Sequence, residues 1–170
     1  MTVIIKNSFS EKLFMVETGK LLAILKNAKV FGSEKAVMSP DKTVQYQTNI
    51  ANMPDKPAGK NRQYTLKQGS QTVATARPVY AADADYFSIS KPPHPVGMSI
   101  QVHSGTEWQV VRSEKNHLEI HTQDGFATLT DFFSIGPQVM EVPDGSDILL
   151  WAGVYALIEY MMHEDEVSPV

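Results

Sequence analysis

Five basic residues between positions 56 and 77 are the best candidates for contact with a binding partner. They are Lys56, Lys60, Arg62, Lys67 and Arg77, and no acidic residue separates them. The first three lie in or beside a segment rich in proline and glycine, where lysine and arginine side chains are free to meet phosphate groups. The pattern predicts a site for anionic ligands, and a solvated charged face is the plainer alternative interpretation.

The residues that could support catalysis or bind a metal do not form a recognisable motif. His117 and His121 are four apart, but this segment is predicted to be a strand, which places the two side chains roughly 13 Å apart. The chain contains no cysteine, so thiolate sites are excluded. It also contains no nucleophile elbow, phosphate-binding loop or dinucleotide-binding fingerprint. We therefore predict a non-enzymatic protein with no catalytic residue, metal or cofactor.

Charge is divided unevenly along the chain, although the net charge is only −4. Residues 1–80 contain twelve Lys and Arg against five Asp and Glu, whereas residues 81–170 contain three against fourteen. Such asymmetry is typical of proteins with an anionic partner, such as phospholipid headgroups or nucleic acid. Alternatively, the two halves interleave in one fold and neutralise each other.

One apolar segment near the end of the chain, residues 146–162, is predicted to be a helix. Its sequence is SDILLWAGVYALIEYMM, and it is apolar on every face, so it must be buried in protein or lipid. It is shorter than the roughly 20 apolar residues that cross a bilayer, and no Lys or Arg flanks it. We therefore expect protein to surround it and predict no transmembrane segment. Asp144 or Ser146 is expected to cap its first turn.

Two faces of this helix are distinctive. Ala152, Gly153 and Ala156 form a face of small residues that strands could approach closely. The other face contains Trp151, Tyr155 and Glu159, which are spaced four residues apart. We interpret this face as a packing surface on which the polar ends of the side chains reach hydrogen-bond partners. A ligand site is the alternative interpretation.

The rest of the sequence reads as short strands separated by turns. Alternating apolar residues and turn residues predict about twelve strands within residues 1–142, with a long loop at 48–61 and a strand end or edge at Pro78. A barrel of this size needs an occupant, and a helix about 10 Å wide has a suitable diameter. We predict a mainly β fold: a closed antiparallel β-barrel of about twelve strands around a central hydrophobic C-terminal helix.

The domain prediction is a single domain over residues 1–170, with strands in 1–142, the central helix at 146–162 and an acidic tail at 163–170. Its first residues contain no sustained apolar run and include Glu11, so a signal peptide is not expected. The lack of cysteine suits a reducing cytoplasm. We expect a cytoplasmic location, with peripheral contact to a membrane if lipid is the partner.

This architecture resembles the tubby C-terminal superfamily, which includes the LURP-one-related and phospholipid-scramblase-like proteins. The resemblance is carried by the hairpins from Arg62 onward, by the approach segment FFSIGPQVMEVPDGSD and by the helix DILLWAGVYALIEYMM. It implies a twelve-stranded barrel around a central helix. Tubby proteins bind phosphoinositides through basic barrel residues and scramblase relatives act at membranes, although no phosphoinositide motif aligns with this sequence residue by residue.

Two functions are therefore consistent with the sequence. The first is a non-enzymatic barrel that binds anionic phospholipid or phosphoinositide headgroups on its outer surface, through the basic residues at positions 56–77. The second is a protein–protein interaction or scaffold domain without a lipid role. No nucleic-acid partner is predicted.

Overall fold

The computed structural model describes seven stretches of the chain, residues 1–29, 32–56, 61–80, 95–103, 105–114, 116–131 and 136–163. Lys60, residues 81–94 and the predicted acidic tail beyond His163 lie outside the described residues.

Twelve strands and one helix make up the described chain. The strands are β1 (Thr2–Ser8), β2 (Glu11–Met15), β3 (Leu21–Asn27), β4 (Lys35–Met38), β5 (Val44–Asn52), β6 (Arg62–Gln68), β7 (Gln71–Tyr80), β8 (Pro95–Val102), β9 (Glu107–Glu114), β10 (His117–Thr122), β11 (Gly125–Thr130) and β12 (Gln138–Glu141), and the helix is α1 (Ile148–Met162).

The strands form a closed antiparallel barrel in which each strand pairs with its neighbours in sequence. The barrel closes between β1 and β12, where Val3 lies opposite Met140 and Ile4 opposite Val139. Closure removes the free sheet edges that would otherwise expose unpaired backbone groups. The predicted fold class is therefore confirmed.

The apolar residues of alternating positions point into the barrel and meet the helix. In β6, for example, Tyr64 and Leu66 are fully buried while Thr65 between them is not. These residues belong to one core cluster with the buried helical side chains, including Val154, Leu157 and Ile158. Because the helix is buried on all its faces from Trp151 to Ile158, it occupies the centre that the strands enclose.

The helix begins two residues later than predicted and has a different cap. Asp147 is the N-cap, and its carboxylate accepts hydrogen bonds from the backbone amides of Leu149 at 3.0 Å and Leu150 at 3.4 Å. The expectation that Asp144 or Ser146 caps the first turn was wrong. The Ser146 hydroxyl instead donates to the carbonyl of Pro143, in the turn that leads from β12 to the helix. No described helix has the length and apolar character needed to cross a membrane.

Both distinctive faces of the helix are used in packing. A Cβ placed on Gly153 would lie 2.5 Å from Cδ2 of Leu66, so any larger residue here requires the buried Leu66 side chain to move. On the other face, Trp151 stacks on Trp108 with ring centroids 4.9 Å apart. Tyr155 packs edge-to-face against Phe14.

Two local predictions differ from the structure. The first strand, β1, was not predicted, although Val3 and Ile5 alternate with less buried residues. The loop predicted at 48–61 begins later, because β5 continues to Asn52. At Pro78, where a strand end or an edge was predicted, β7 continues to Tyr80. Pro78 nevertheless has an edge position, because the β6 pairs end at Ala76 and only β8 lies beside it.

Candidate functional site

The consecutive strand order separates the two charge classes around the barrel. Strands β1 to β7 belong to the basic half of the sequence and form one continuous side, and β8 to β12 form the other side. The two halves therefore do not interleave among the described strands. The basic excess of residues 1–80 is concentrated on one side of the molecule.

The strand order also groups alternate connections at the same end of the barrel. The connections β1–β2, β3–β4 and β5–β6 lie at the end where α1 finishes. The contacts show this directly, because Lys12 at the start of β2 reaches Glu159, and Ser33 in the β3–β4 connection accepts a hydrogen bond from Tyr160. We call this end of the barrel the mouth.

Two adjoining cavities open at the mouth, and Asn27, Lys35 and Glu159 line both of them. One has a volume of about 280 Å³ and extends towards Tyr160 and His163 at the end of the helix. The other has a volume of about 260 Å³ and extends towards the β1–β2 turn. Lys12 and Lys26 contribute to its wall, as do Glu11 and Phe9. The mouth thus gathers three lysines, the mouth lysines Lys12, Lys26 and Lys35.

Lys12 is held by the end of the helix. Its ammonium group lies 3.1 Å from Oε1 of Glu159, donates to Oδ1 of Asn7 at 3.0 Å and sits over the Tyr155 ring, 5.5 Å from its centroid. Both side chains of the ion pair are mostly buried, with 21% of Lys12 and 14% of Glu159 exposed. Burial strengthens such a pair relative to a surface pair but also makes an unpaired partner costly. Lys12 is therefore a fixed part of the mouth.

The other two mouth lysines keep donors available. The Lys35 ammonium donates to Oδ1 of Asn27 at 2.9 Å, a neutral acceptor that leaves its charge uncompensated. The Lys26 ammonium has no hydrogen-bond or ion-pair partner among the described residues. A Lys ammonium has three donors, so both side chains can bind an added anion.

One buried acceptor at the same place is also unused. Oε2 of Glu159 is buried and has no hydrogen-bond partner in the described part of the chain. Buried carboxylate oxygens are almost always hydrogen-bonded, because desolvation without a partner is unfavourable. The mouth therefore presents free cationic donors, and this buried carboxylate oxygen lies behind them. No group of three potential metal-binding side chains occurs within the described stretches.

Two buried tyrosines fix the helix near the mouth. The Tyr155 hydroxyl donates to Oε1 of Gln138 at 2.6 Å. The Tyr160 hydroxyl donates to the Ser33 carbonyl and shares a hydrogen bond of 2.5 Å with the Thr48 hydroxyl. Burial raises the pKa of both tyrosines above the ordinary value, and the Glu159 carboxylate adds to this rise in each case.

These tyrosines predict a loss of stability in alkali. Because their pKa values are higher in the folded than in the unfolded chain, their contribution is complete below about pH 10 and is lost as the pH rises further. Each tyrosine should lower the free energy of unfolding by about 1.4 kcal/mol per pH unit above that point. Denaturant titrations of wild type and Tyr155→Phe between about pH 9 and 11 measure this slope. An equal slope in the two proteins would contradict the burial of an un-ionised Tyr155 hydroxyl.

The five basic residues predicted from the sequence do not form one cluster. Lys56 is exposed in the β5–β6 connection at the mouth end, and Lys60 lies outside the described residues. Arg62 begins β6 at the same end. Its side chain is on the same inward side of the strand as that of Tyr64, and its Nη1 atom is buried without a hydrogen-bond partner in the described chain. Lys67 and Arg77 occupy outward positions on β6 and β7.

Lys67 has a separate setting on the outer wall. It lines a third cavity of about 310 Å³ together with Gln47 and Asn49. Lys29 and Glu34 also line this cavity, where they pair with each other at 2.8 Å. The outer-wall cavity therefore carries less free positive charge than the mouth.

The mouth lysines and Phe9 were not predicted as site residues from the sequence. The lysines are far apart in sequence and become neighbours only through strand pairing, in which Lys12 lies opposite Leu25, Glu11 opposite Lys26 and Asn27 opposite Lys35. A usable signal existed, since alternate connections of an up-and-down barrel meet at one end. Phe9 was detectable as an aromatic residue in the otherwise polar segment NSFSEK.

No protein-family model matches the chain, and a search of curated proteins finds no matching sequence. Among solved structures, the X-ray structure of the Arabidopsis thaliana protein AT5G01750 matches with a TM-score of 0.60 and 10% sequence identity, over 93% of this chain and 88% of that chain. The two proteins share a fold. At this identity the likeness concerns the arrangement of strands and helix, over nearly the full length of both chains.

Proposed function

We propose that this protein is a non-enzymatic barrel of the tubby C-terminal-like superfamily that binds anionic phospholipid headgroups. The superfamily assignment is supported by the closed barrel of twelve strands around a C-terminal helix and by the structural match over most of the chain. The whole chain would then act as one domain. A protein with this function would be cytoplasmic and peripheral to a membrane.

The observation that carries the proposal is the set of free donors at the mouth. Lys26 and Lys35 can each donate to a phosphate oxygen, and they line the same cavity. Because the helix fills the barrel, a ligand has to bind at an end or on the outside. The two cavities at the mouth, of about 280 and 260 Å³, approach the size of a small-ligand site.

The two lysines favour a headgroup that carries more than one phosphate group. A phosphoinositide headgroup has phosphate groups on its inositol ring in addition to its phosphodiester, so Lys26 and Lys35 can each donate to phosphate oxygens of one ligand. Phosphatidylserine has a single phosphodiester and should bind less tightly. Lys56 and Arg62 lie at the same end of the barrel and would add long-range attraction to an anionic surface.

Co-sedimentation with lipid vesicles tests this function. The protein is expected to pellet with phosphatidylcholine vesicles that contain a phosphoinositide, less with those that contain phosphatidylserine, and not with phosphatidylcholine alone. Binding should weaken when salt is raised from about 0.1 M to 0.5 M, because salt screens exposed charges. Absence of binding at low salt would reject the lipid role and leave a protein-interaction domain as the alternative.

Charge reversal at the mouth should weaken vesicle binding selectively. A Lys near an anionic surface contributes about 1 kcal/mol, so Lys26→Glu should reduce vesicle affinity about tenfold or more through loss of attraction and added repulsion. The matched control is Lys20→Glu, an exposed residue in the β2–β3 turn at the opposite end of the barrel. Equal effects of the two substitutions would mean that net charge, and not the mouth, determines binding.

A further inference from the structure

The β1–β2 turn at the edge of the mouth carries a fully exposed phenylalanine. Phe9 has a relative exposure of 110%, whereas the next most exposed aromatic side chain of the described chain, Phe126, has 62%. Single apolar residues on a surface are common and need no explanation by themselves. Two further features distinguish this one.

The first feature is the backbone of the turn. Phe9 has a φ of 48°, in the left-handed region that glycine and asparagine adopt readily and bulky residues rarely do. The turn is short, because Ser8 pairs directly with Glu11. Phe9 thus occupies a strained position where a smaller residue would be favoured, and it gains no burial within the protein. Strain of this kind is commonly retained at functional sites.

The second feature is the position of the ring beside free positive charge. Phe9 lines the same cavity as the three mouth lysines. The turn is braced at its base, where Lys12 donates to Asn7 and pairs with Glu159 of the helix. These contacts hold the base of the turn that carries the exposed ring at the rim of the cavity. Apolar side chains next to lysines are characteristic of surfaces that enter the boundary between headgroups and acyl chains.

We propose that Phe9 is a membrane anchor, which inserts into the apolar part of an anionic bilayer when a lipid headgroup occupies the mouth. This inference rests on the proposed function and adds the source of the phosphate, a lipid within a bilayer instead of a free phosphorylated molecule. It also orients the protein, with the mouth against the membrane and the β2–β3 turn away from it.

The first experiment separates vesicle binding from headgroup binding. Phe9→Asn removes the ring and keeps a residue that tolerates positive φ. Its affinity for phosphoinositide vesicles should fall about tenfold, since that is the scale of burying one aromatic side chain. Its affinity for a soluble inositol phosphate should fall much less than its affinity for vesicles, because a free ligand offers no apolar phase for the ring to enter. Phe126→Thr, which removes the next most exposed aromatic ring among the described residues, on the acidic side of the barrel, should leave vesicle binding unchanged.

The second experiment detects insertion directly. Because the chain has no cysteine, Phe9→Cys and Phe126→Cys each provide one site for an environment-sensitive fluorophore. With phosphoinositide vesicles, the label at position 9 should brighten and shift to shorter wavelength, and the label at position 126 should not change. The thermal unfolding of each variant shows whether it is folded.

The outcomes for the anchor and for lipid binding are distinct. If Phe9→Asn binds vesicles as wild type does, or if the label at position 9 stays in water while the protein is vesicle-bound, the anchor is wrong and lipid binding stands. If wild type binds soluble inositol phosphate but no vesicle, the ligand is a free phosphorylated molecule and both the anchor and the lipid role are wrong. If it binds neither, the mouth is not an anion site.

Discussion

A chain truncated after Val142 is expected to be insoluble or to lack a cooperative unfolding transition. Truncation removes α1, which contributes large buried side chains to the core, including Trp151, Tyr155 and Leu157. Each such side chain contributes about 1.5–3 kcal/mol when fully buried, and an entire small domain is stable by only about 5–15 kcal/mol. The inward faces of the strands would also become exposed to water.

Expression, gel filtration and thermal unfolding of the truncated chain measure this effect. A matched control is a chain that ends after His163, which retains the complete helix and should fold like the full chain. A soluble truncated chain with a sharp unfolding transition would show that the barrel is stable without the helix.

Gly153→Leu is expected to lower the free energy of unfolding by about 3 kcal/mol. Even the first added carbon would lie 2.5 Å from Cδ2 and 2.9 Å from Cδ1 of Leu66, a fully buried side chain of β6. In an unobstructed helix, replacing glycine by a larger residue stabilises, because glycine is a poor helix former. The sign of the change therefore reports whether the helix is packed closely against β6.

Denaturant unfolding of Gly153→Leu, with Leu66→Ala and the double variant, isolates this contact. If the two residues are in contact, the double variant should lose less stability than the sum of the losses in the two single variants, because truncating Leu66 makes room for the larger side chain at position 153. Additive effects, or an increase in stability for Gly153→Leu alone, would contradict the close approach of α1 and β6.

The fold was largely predictable because its two periodic signals are strong. The apolar helix is too short to span a bilayer, so it had to be buried within the protein, and the alternating pattern predicted the strands that surround it. The exact ends of the strands depend on which residues of neighbouring strands pair, and the alternating pattern does not show this. Pro78 was expected to end a strand or to lie at an edge, and the second alternative fits, because Pro78 lies beyond the last β6 pair and has only β8 beside it. Similarly, β5 extends through Ile50 because that residue faces the core opposite Tyr64.

The candidate site was less predictable, because linear clustering of charge is a poor guide to clustering in space. The basic stretch 56–77 runs along β6 and returns along β7, and because side chains alternate along a strand, Arg62 points inwards and Lys67 outwards. Lys12, Lys26 and Lys35 belong to three different strands and meet because β2, β3 and β4 are neighbours. Their grouping, and the position of Phe9 beside them, follows from strand register and from the helix that ends at the mouth.

The most direct measurement is the location of a bound headgroup on the folded protein. Two-dimensional amide NMR spectra can be recorded while a soluble inositol phosphate is added to the full chain. Binding at the mouth predicts saturable shifts at Asn27 and Lys35, with little change at Lys20 and Asp147 at the other end of the barrel. Shifts confined to Lys20 and Asp147, or no saturable shift at any residue, would contradict a headgroup site at the mouth.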